Sequence, residues 1–254
     1  MKSLSLWLAI AAASFTWNCT TVSADELTCF ELRTYYPNEG KLEALHSRFR
    51  DHTVGMFEKH GMSQLAYWVP VENNDNVLVY LLGYPDREAR KTAWKGFRDD
   101  PAWQKAYKES TADGKLVNKV DSVFLHLTDY SPKPPISASE TPRLFEMREY
   151  TCNPGKLENL DARFRDHTVD LFENHGLTNL LYFHLDEGQE GSENTLLYFL
   201  AHASDESRAA GFKAFSQDPK WKAAREVSEA DGKILVKKGV QSTPLKASDY
   251  SAVK

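Results

Sequence analysis

Apolar and polar residues alternate from Leu27 to Tyr36, placing Phe30 and Leu32 on one face of an extended segment and Glu31, Arg33 and Tyr35 on the other. Pro37-Asn38-Glu39-Gly40 breaks this strand, and the period then changes. Leu42, Leu45, Phe49, His52, Met56 and Phe57 recur at helical spacing, and Gly61 follows as a left-handed cap with His60 against the C-terminal dipole. Leu65 to Val71 and Val77 to Tyr84 read as strands, joined by the polar turn Glu72-Asn73-Asn74-Asp75. Asp86 to Asp113 reads as helix in two pieces: Asp100 caps the second, Pro101 takes its first position, Trp103 turns inward and Gly114 ends it. Asp121 to Leu127 is the last strand. The order β-α-β-β-α-β predicts a ferredoxin-like unit, an antiparallel sheet with helices on one face.

The same pattern then recurs. Arg48-Phe49-Arg50-Asp51-His52-Thr53 returns unchanged as Arg163-Phe164-Arg165-Asp166-His167-Thr168, an offset of 115 residues. Phe30-Glu31-Leu32-Arg33 meets Phe145-Glu146-Met147-Arg148 in that register, and His60-Gly61 meets His175-Gly176. Beyond an insertion within Glu187-Gly188-Gln189-Glu190-Gly191 the offset becomes 118, where Asp100-Pro101-x-Trp103 meets Asp218-Pro219-x-Trp221. The insertion falls on a hairpin tip, where extra residues disturb least. A period of this size marks a tandem domain duplication. The last strand of the second copy, near Gly239 to Leu245, contains Pro244, which predicts an edge position.

A one-sided sheet leaves its other face open, and a covalently joined copy is the natural cover. The expected fold is α+β: two tandem βαββαβ repeats, residues 27–130 and 143–250, forming a pseudo-dimeric α/β barrel. Residues 131–142 form the linker, rich in proline at Pro132, Pro134, Pro135 and Pro142.

The chain has a formal net charge of −5 and no basic block, which argues against nucleic-acid binding. Lys2, the apolar run Leu4 to Phe15 and Val22-Ser23-Ala24 together read as a signal peptide over residues 1–24. The expectation is therefore an exported, periplasmic or secreted protein, with no membrane contact after cleavage. A retained anchor is the alternative; Cys19 lacks the small preceding residues of a lipoprotein site. Cys29 and Cys152 remain afterwards, either bridged across the halves or as two separate buried thiols.

Candidate chemistry follows from face assignment. If Phe30, Leu32, Phe145 and Met147 pack under the helices, then Glu31, Arg33, Tyr35, Glu146, Arg148 and Tyr150 converge inside the barrel. Strand rise separates Glu31 from Arg33 by about 6.6 Å, so they pair and set sheet register, or the arginines and tyrosines hold a ligand's carboxylate. His52 and His167, on the apolar stripe, read as core histidines. His126 shares a face with Ser122 and Phe124; if that face is interior, it is the one weak candidate for acid–base work or haem ligation, since Pro244 stands opposite it at the offset of 118. Arg48, Arg50 and Asp51 read as a solvated helix face with intrahelical pairs. Trp103 and Trp221 read as core anchors. No nucleophile elbow, P-loop, dinucleotide fingerprint or metal pattern occurs, so no cofactor and no metal is expected.

The ordered motifs Phe-Glu-x-Arg-x-Tyr, Gly-Lys-Leu, Arg-Asp-His-Thr and Asp-Pro-x-Trp resemble those of the NIPSNAP family, over Phe30 to Asp129 and again over Phe145 to Asp249. The resemblance implies the dimeric α/β-barrel fold and a pseudo-dimer within one chain. It implies little chemistry, because the family carries no agreed catalytic residues. Its wider fold group includes cofactor-free monooxygenases and haem-handling enzymes. The expectation is a protein that binds a small ligand between the two sheets. The alternatives are a cofactor-free or haem-dependent monooxygenase-like enzyme and an exported interaction protein. A further homo-oligomer is left open.

Overall fold

The computed structural model describes residues 26–254; the expected leader lies outside them. The first repeat runs β1 (Cys29–Pro37), α1 (Leu42–Arg48), a π-helical turn (Phe49–Thr53), α2 (Val54–Lys59), β2 (Ser63–Pro70), β3 (Leu78–Tyr84), α3 (Arg87–Asp99), α4 (Pro101–Ser110) and β4 (Val117–Leu127). The second repeats it as β5 (Leu144–Cys152), α5 (Leu157–Arg163), a π-helical turn (Phe164–Thr168), α6 (Val169–Asn174), β6 (Thr178–Leu185), β7 (Thr195–His202), α7 (Asp205–Gln217), α8 (Pro219–Ser228) and β8 (Leu235–Ala247). The local signals act as their chemistry requires. Asp100 accepts from the Ala102 N–H at 2.8 Å with Pro101 behind it, and Gly61 takes φ +71°.

The strands close into one barrel in the order β1-β3-β2-β8-β5-β7-β6-β4. The repeats join at two seams. At one, β4 pairs with β6 through Leu125↔Leu185, His126↔His184 and Leu127↔Phe183; at the other, β2 pairs with β8 through Trp68↔Ala247, Val69↔Lys246 and Pro70↔Leu245. Closure removes every sheet edge. Pro244 therefore lies in no edge strand, contrary to its sequence signal. Its carbonyl accepts from Val71 N–H at 2.9 Å, so its nitrogen faces the same side, where β2 has just ended. The missing donor is tolerated because the ladder stops there.

The faces are the reverse of those expected. Phe30, Leu32, Phe145 and Met147 point into the barrel with Trp68, Leu81, Leu125, Phe183, Phe199 and Leu245. Trp68 stacks on Phe199 at 4.9 Å between centroids, and Phe30 meets Phe183 at 5.2 Å. The polar set Glu31, Arg33, Tyr35, Glu146, Arg148 and Tyr150 lies instead between sheet and helices, beside Tyr80 and Trp94 or Tyr198 and Phe212. The physical reason is partner supply. Apolar side chains converge on the barrel axis from both repeats, whereas an amphipathic helix brings polar groups from its flank. Strands covered on both faces do not reveal which cover is helical.

Register explains a second difference. Tyr150 pairs with Val240 but Cys152 with Leu235, a bulge around Lys238, which takes φ +61°, and Gly239. A Cβ at Gly239 would stand 2.5 Å from the Thr151 carbonyl oxygen. Arg33 opposes Ser122 and Arg148 opposes Ser242, so beyond the bulge the repeat offset is 120. His126 therefore corresponds to Lys246, and Pro244 to Phe124.

Candidate functional site

Each first strand of a repeat carries a buried carboxylate. Glu31 is fully buried and accepts from Arg90 Nε at 2.9 Å, Arg90 Nη2 at 2.7 Å, Trp94 Nε1 at 3.1 Å and Ser122 Oγ at 2.6 Å, with Arg33 Nη1 also bonded to it. Arg33 Nε donates to Tyr80 Oη at 2.9 Å. Burial alone would raise the Glu31 pKa, but the bonds from Arg90 and Ser122 and the Arg33 charge hold it down at about 2. Glu146 repeats the theme with a different cast. Arg148 Nη1 at 2.5 Å, Ser242 Oγ at 2.5 Å and His202 Nε2 at 2.9 Å surround it, and it too is held at about 2 against the effect of burial. A carboxylate only accepts, so His202 Nε2 carries a hydrogen.

His202 occupies the Glu146 oxygen that Arg90 claims on Glu31. Arg208, the counterpart of Arg90, stands 3.9 Å from Glu146 and bonds Asp205 at 2.8 Å instead. The sequence reading found both Glu–Arg pairs and missed Arg90, Arg208, Trp94 and His202. The recurrence of arginine at Arg90 and Arg208, 118 residues apart, was the available signal.

The seams carry this difference to the surface. At the β4–β6 seam the Arg87 guanidinium lies 3.3 Å over the Phe124 ring and 3.7 Å from Asp186. Gln189, inside the insertion, accepts from Phe124 N–H at 2.9 Å and donates to its carbonyl at 2.7 Å. These groups fill the site. At the β2–β8 seam Pro244 stands for Phe124, Asp205 for Arg87, and the shorter hairpin supplies no Gln189. A cavity of about 570 Å³ results, lined by Pro70, Val71, Glu72, Leu144, Asp205, Arg208, Ser242, Thr243, Pro244 and Lys246.

The repeated hexapeptide is a solvated face only in part: Arg50 and Asp51, like Arg165 and Asp166, are exposed as expected, but Arg48 and Arg163 are not. Its π-helical turn adds a residue to the winding, and Val54 N–H bonds the Phe49 carbonyl five residues back. The extra residue turns His52 and His167 out to solvent and buries Thr53 and Thr168, so neither histidine is in the core. Arg48 and Arg163 are buried, packed beneath Trp103 and Trp221 at 5.5 and 5.1 Å. Arg50 reaches across to the other repeat's Asp249 at 2.5 and 3.0 Å, and Arg165 reciprocates on Asp129 at 2.7 Å. These are inter-repeat latches, not intrahelical pairs.

His126 lies on the outer face, half exposed, with Nδ1 at 3.0 Å from Asp186. The condition for its catalytic reading, an interior face, is not met. Cys29 and Cys152 are two separate buried thiols, each pushed up to about 11 by burial. Among the described residues no cluster of His, Cys, Asp and Glu could hold a metal ion.

The NIPSNAP family model matches residues 30–132 and again residues 145–248. The chain belongs to the NIPSNAP family. This tandem NIPSNAP chain resembles a putative monooxygenase from Lactobacillus acidophilus NCFM at 11% identity and TM-score 0.56, covering 89% of this chain and 96% of that one. It also resembles an anthrone oxidase-like protein at 13% identity and TM-score 0.57, covering 92% and 97%. An uncharacterized NIPSNAP domain protein from Burkholderia xenovorans matches at 22% identity and TM-score 0.37, covering 41% of this chain and 98% of that one. The two likenesses over most of the chain show the fold, a dimeric α/β barrel closed within one chain. No curated protein matches.

Proposed function

We propose that this NIPSNAP protein binds a small organic anion at the β2–β8 seam. The observation that carries the reading is the 570 Å³ cavity lined by Arg208, which keeps only a 3.9 Å ion-pair contact with Glu146 in place of the two bonds Arg90 makes to Glu31. Pro70, Val71, Leu144 and Pro244 offer apolar walls, and Arg208 and Lys246 offer donors for an anion beside the carboxylates of Glu72 and Asp205, the second of which bonds Arg208. The ligand thus sits where the two sheets meet, not on the apolar barrel axis. Glu146, with Arg148 and Tyr150, supports the wall from behind through Ser242, whereas Glu31, Arg33 and Tyr35 form the matching cluster behind the other seam. Names such as putative monooxygenase belong to the fold neighbours, and fold alone carries no chemistry to this chain.

Native mass spectrometry of the purified protein tests the proposal. A retained small molecule, lost in Arg208→Met while the circular dichroism spectrum is unchanged, supports it. A bare protein, or retention indifferent to Arg208→Met, sinks it. We also read the protein as exported, on the leader pattern of residues 1–24; N-terminal sequencing that finds Met1 on protein from fractionated cells would overturn that.

A further inference from the structure

The first arginine of the repeated hexapeptide is buried in both repeats, but only one copy has a counterion. Arg163 Nη1 stands 3.6 Å from Glu229 Oε1 and 3.4 Å from Ser228 Oγ. Glu229 is held ionised: burial opposes it, but the bond from Lys233 and the charges of Arg225, Lys233 and Arg163 lower its pKa. Arg48 is 5% exposed, its Nε and Nη1 find no hydrogen-bond partner, and it forms no ion pair among the described residues. Its contacts are the rings of Trp103 at 5.5 Å and Tyr107 at 5.4 Å.

The substitutions that strip it are specific. Thr111 stands 118 residues before Glu229, and Tyr107 the same distance before Arg225, while Lys115 is retained opposite Lys233. Repeat 1 thus has the buried cation without the carboxylate. A buried guanidinium without a counterion costs several kcal/mol, and stacking on aromatic faces recovers only part of that. Tyr107, which forms the outer wall, is 46% exposed, so the guanidinium lies one side chain from solvent.

We propose that repeat 1 carries an oxyanion site at Arg48, taking a carboxylate or a phosphate at the position that the Glu229 carboxylate holds in repeat 2. The duplication then yields one repeat with a built-in anion and one that borrows its anion from solution. This site is separate from the β2–β8 seam, since Arg208 and Lys246 belong to the other repeat's helix and strand.

The test is thermal unfolding of the purified protein titrated with inorganic phosphate, and in a second arm with acetate, chloride being exchanged to hold ionic strength fixed. The wild-type midpoint rises saturably with one or both anions, and the arm that responds at lower concentration names the preferred source. Thr111→Glu, which restores the missing carboxylate, starts at a higher midpoint and loses the response. Glu229→Thr acquires an additional response, and in an Arg208→Met background, which removes any binding at the seam, the response that Thr111→Glu abolishes persists. A flat wild-type titration, or a response unchanged in Thr111→Glu, overturns the proposal. If Thr111→Glu does not fold, Glu229→Thr decides: no added response there overturns it as well.

Discussion

The two seams of the barrel descend from one ancestral junction and now differ in what they contain. At the β4–β6 seam the chain fills the space itself with Arg87 on Phe124, clasped by Asp186 and Gln189. At the β2–β8 seam every one of those fillers is replaced or absent, and a cavity of about 570 Å³ remains. Behind the filled seam, Arg90 is committed to Glu31 through two bonds; behind the open one, His202 has taken that role and Arg208 stands 3.9 Å from Glu146 and bonds Asp205. Two copies of one scaffold can thus differ in how their junctions are filled through a handful of side chains around the same buried carboxylate.

The comparison breaks most readily at those carboxylates. Glu31→Gln leaves Arg33 and Arg90 without a buried counter-charge and is expected to cost about 3–5 kcal/mol in urea unfolding. Glu146→Gln is expected to cost less, because Arg208 is already paired with Asp205. Equal losses would show that the two clusters do not differ as described.

Acid sharpens the same point. Glu31 and Glu146 titrate at about 2 in the folded protein against an ordinary 4.5. Below 4.5 the unfolded chain binds protons that the native carboxylates refuse, so stability falls as pH drops from about 4.5 towards 2. Urea midpoints measured from neutral pH downwards should fall in that window. The loss should be shallower in Glu31→Gln.

Arg90→Ala and Arg208→Ala should separate next. Arg90→Ala removes two charge-assisted bonds from a buried acceptor and is expected to cost about 2 kcal/mol. Arg208→Ala is expected to cost under about 1 kcal/mol, because a partly exposed pair contributes little. Similar values would place Arg208 in the structural cluster and weaken its assignment to the ligand.

Gln189→Ala removes the clasp on Phe124 and should cost about 1 kcal/mol, with greater solvent access at the β4–β6 seam in hydrogen exchange of Phe124. The smallest effect belongs to the latches. Arg50→Ala and Arg165→Ala should shift the thermal midpoint slightly, and the shift should vanish in high salt, because both ion pairs are exposed. A latch effect that survives salt would mark a larger role for the hexapeptide in joining the repeats.

Much of this was legible in the chain. The switch from alternation at Leu27–Tyr36 to helical spacing after Leu42 gave the element order, and the capping of α4 by Asp100 and Pro101 followed from local chemistry. What failed was the assignment of individual side chains to the two faces, although the cover of the open sheet face by the second copy was as expected. Phe30 and Glu31 are both fully buried, so exposure could not tell barrel from helix side. His52 looked like a core residue because a uniform helical period was applied across a π-helical turn, whose extra residue moves the buried position to Thr53. The offset of 118 carried into β8 assumed no further insertion, and the bulge at Lys238 and Gly239 moved the match for His126 from Pro244 to Lys246.

By itself the sequence determined the duplication, the βαββαβ order, the family and the presence of paired Glu–Arg motifs, because these rest on local periodicity and on a repeat visible at fixed spacing. Only the tertiary structure decided where those pairs face, which seam is filled and which buried arginine lacks a counterion. Those are properties of partner supply across elements far apart in the chain: Trp94 on Glu31, Gln189 on Phe124, Glu229 near Arg163. Local pattern specifies what a side chain is, and packing specifies what it meets.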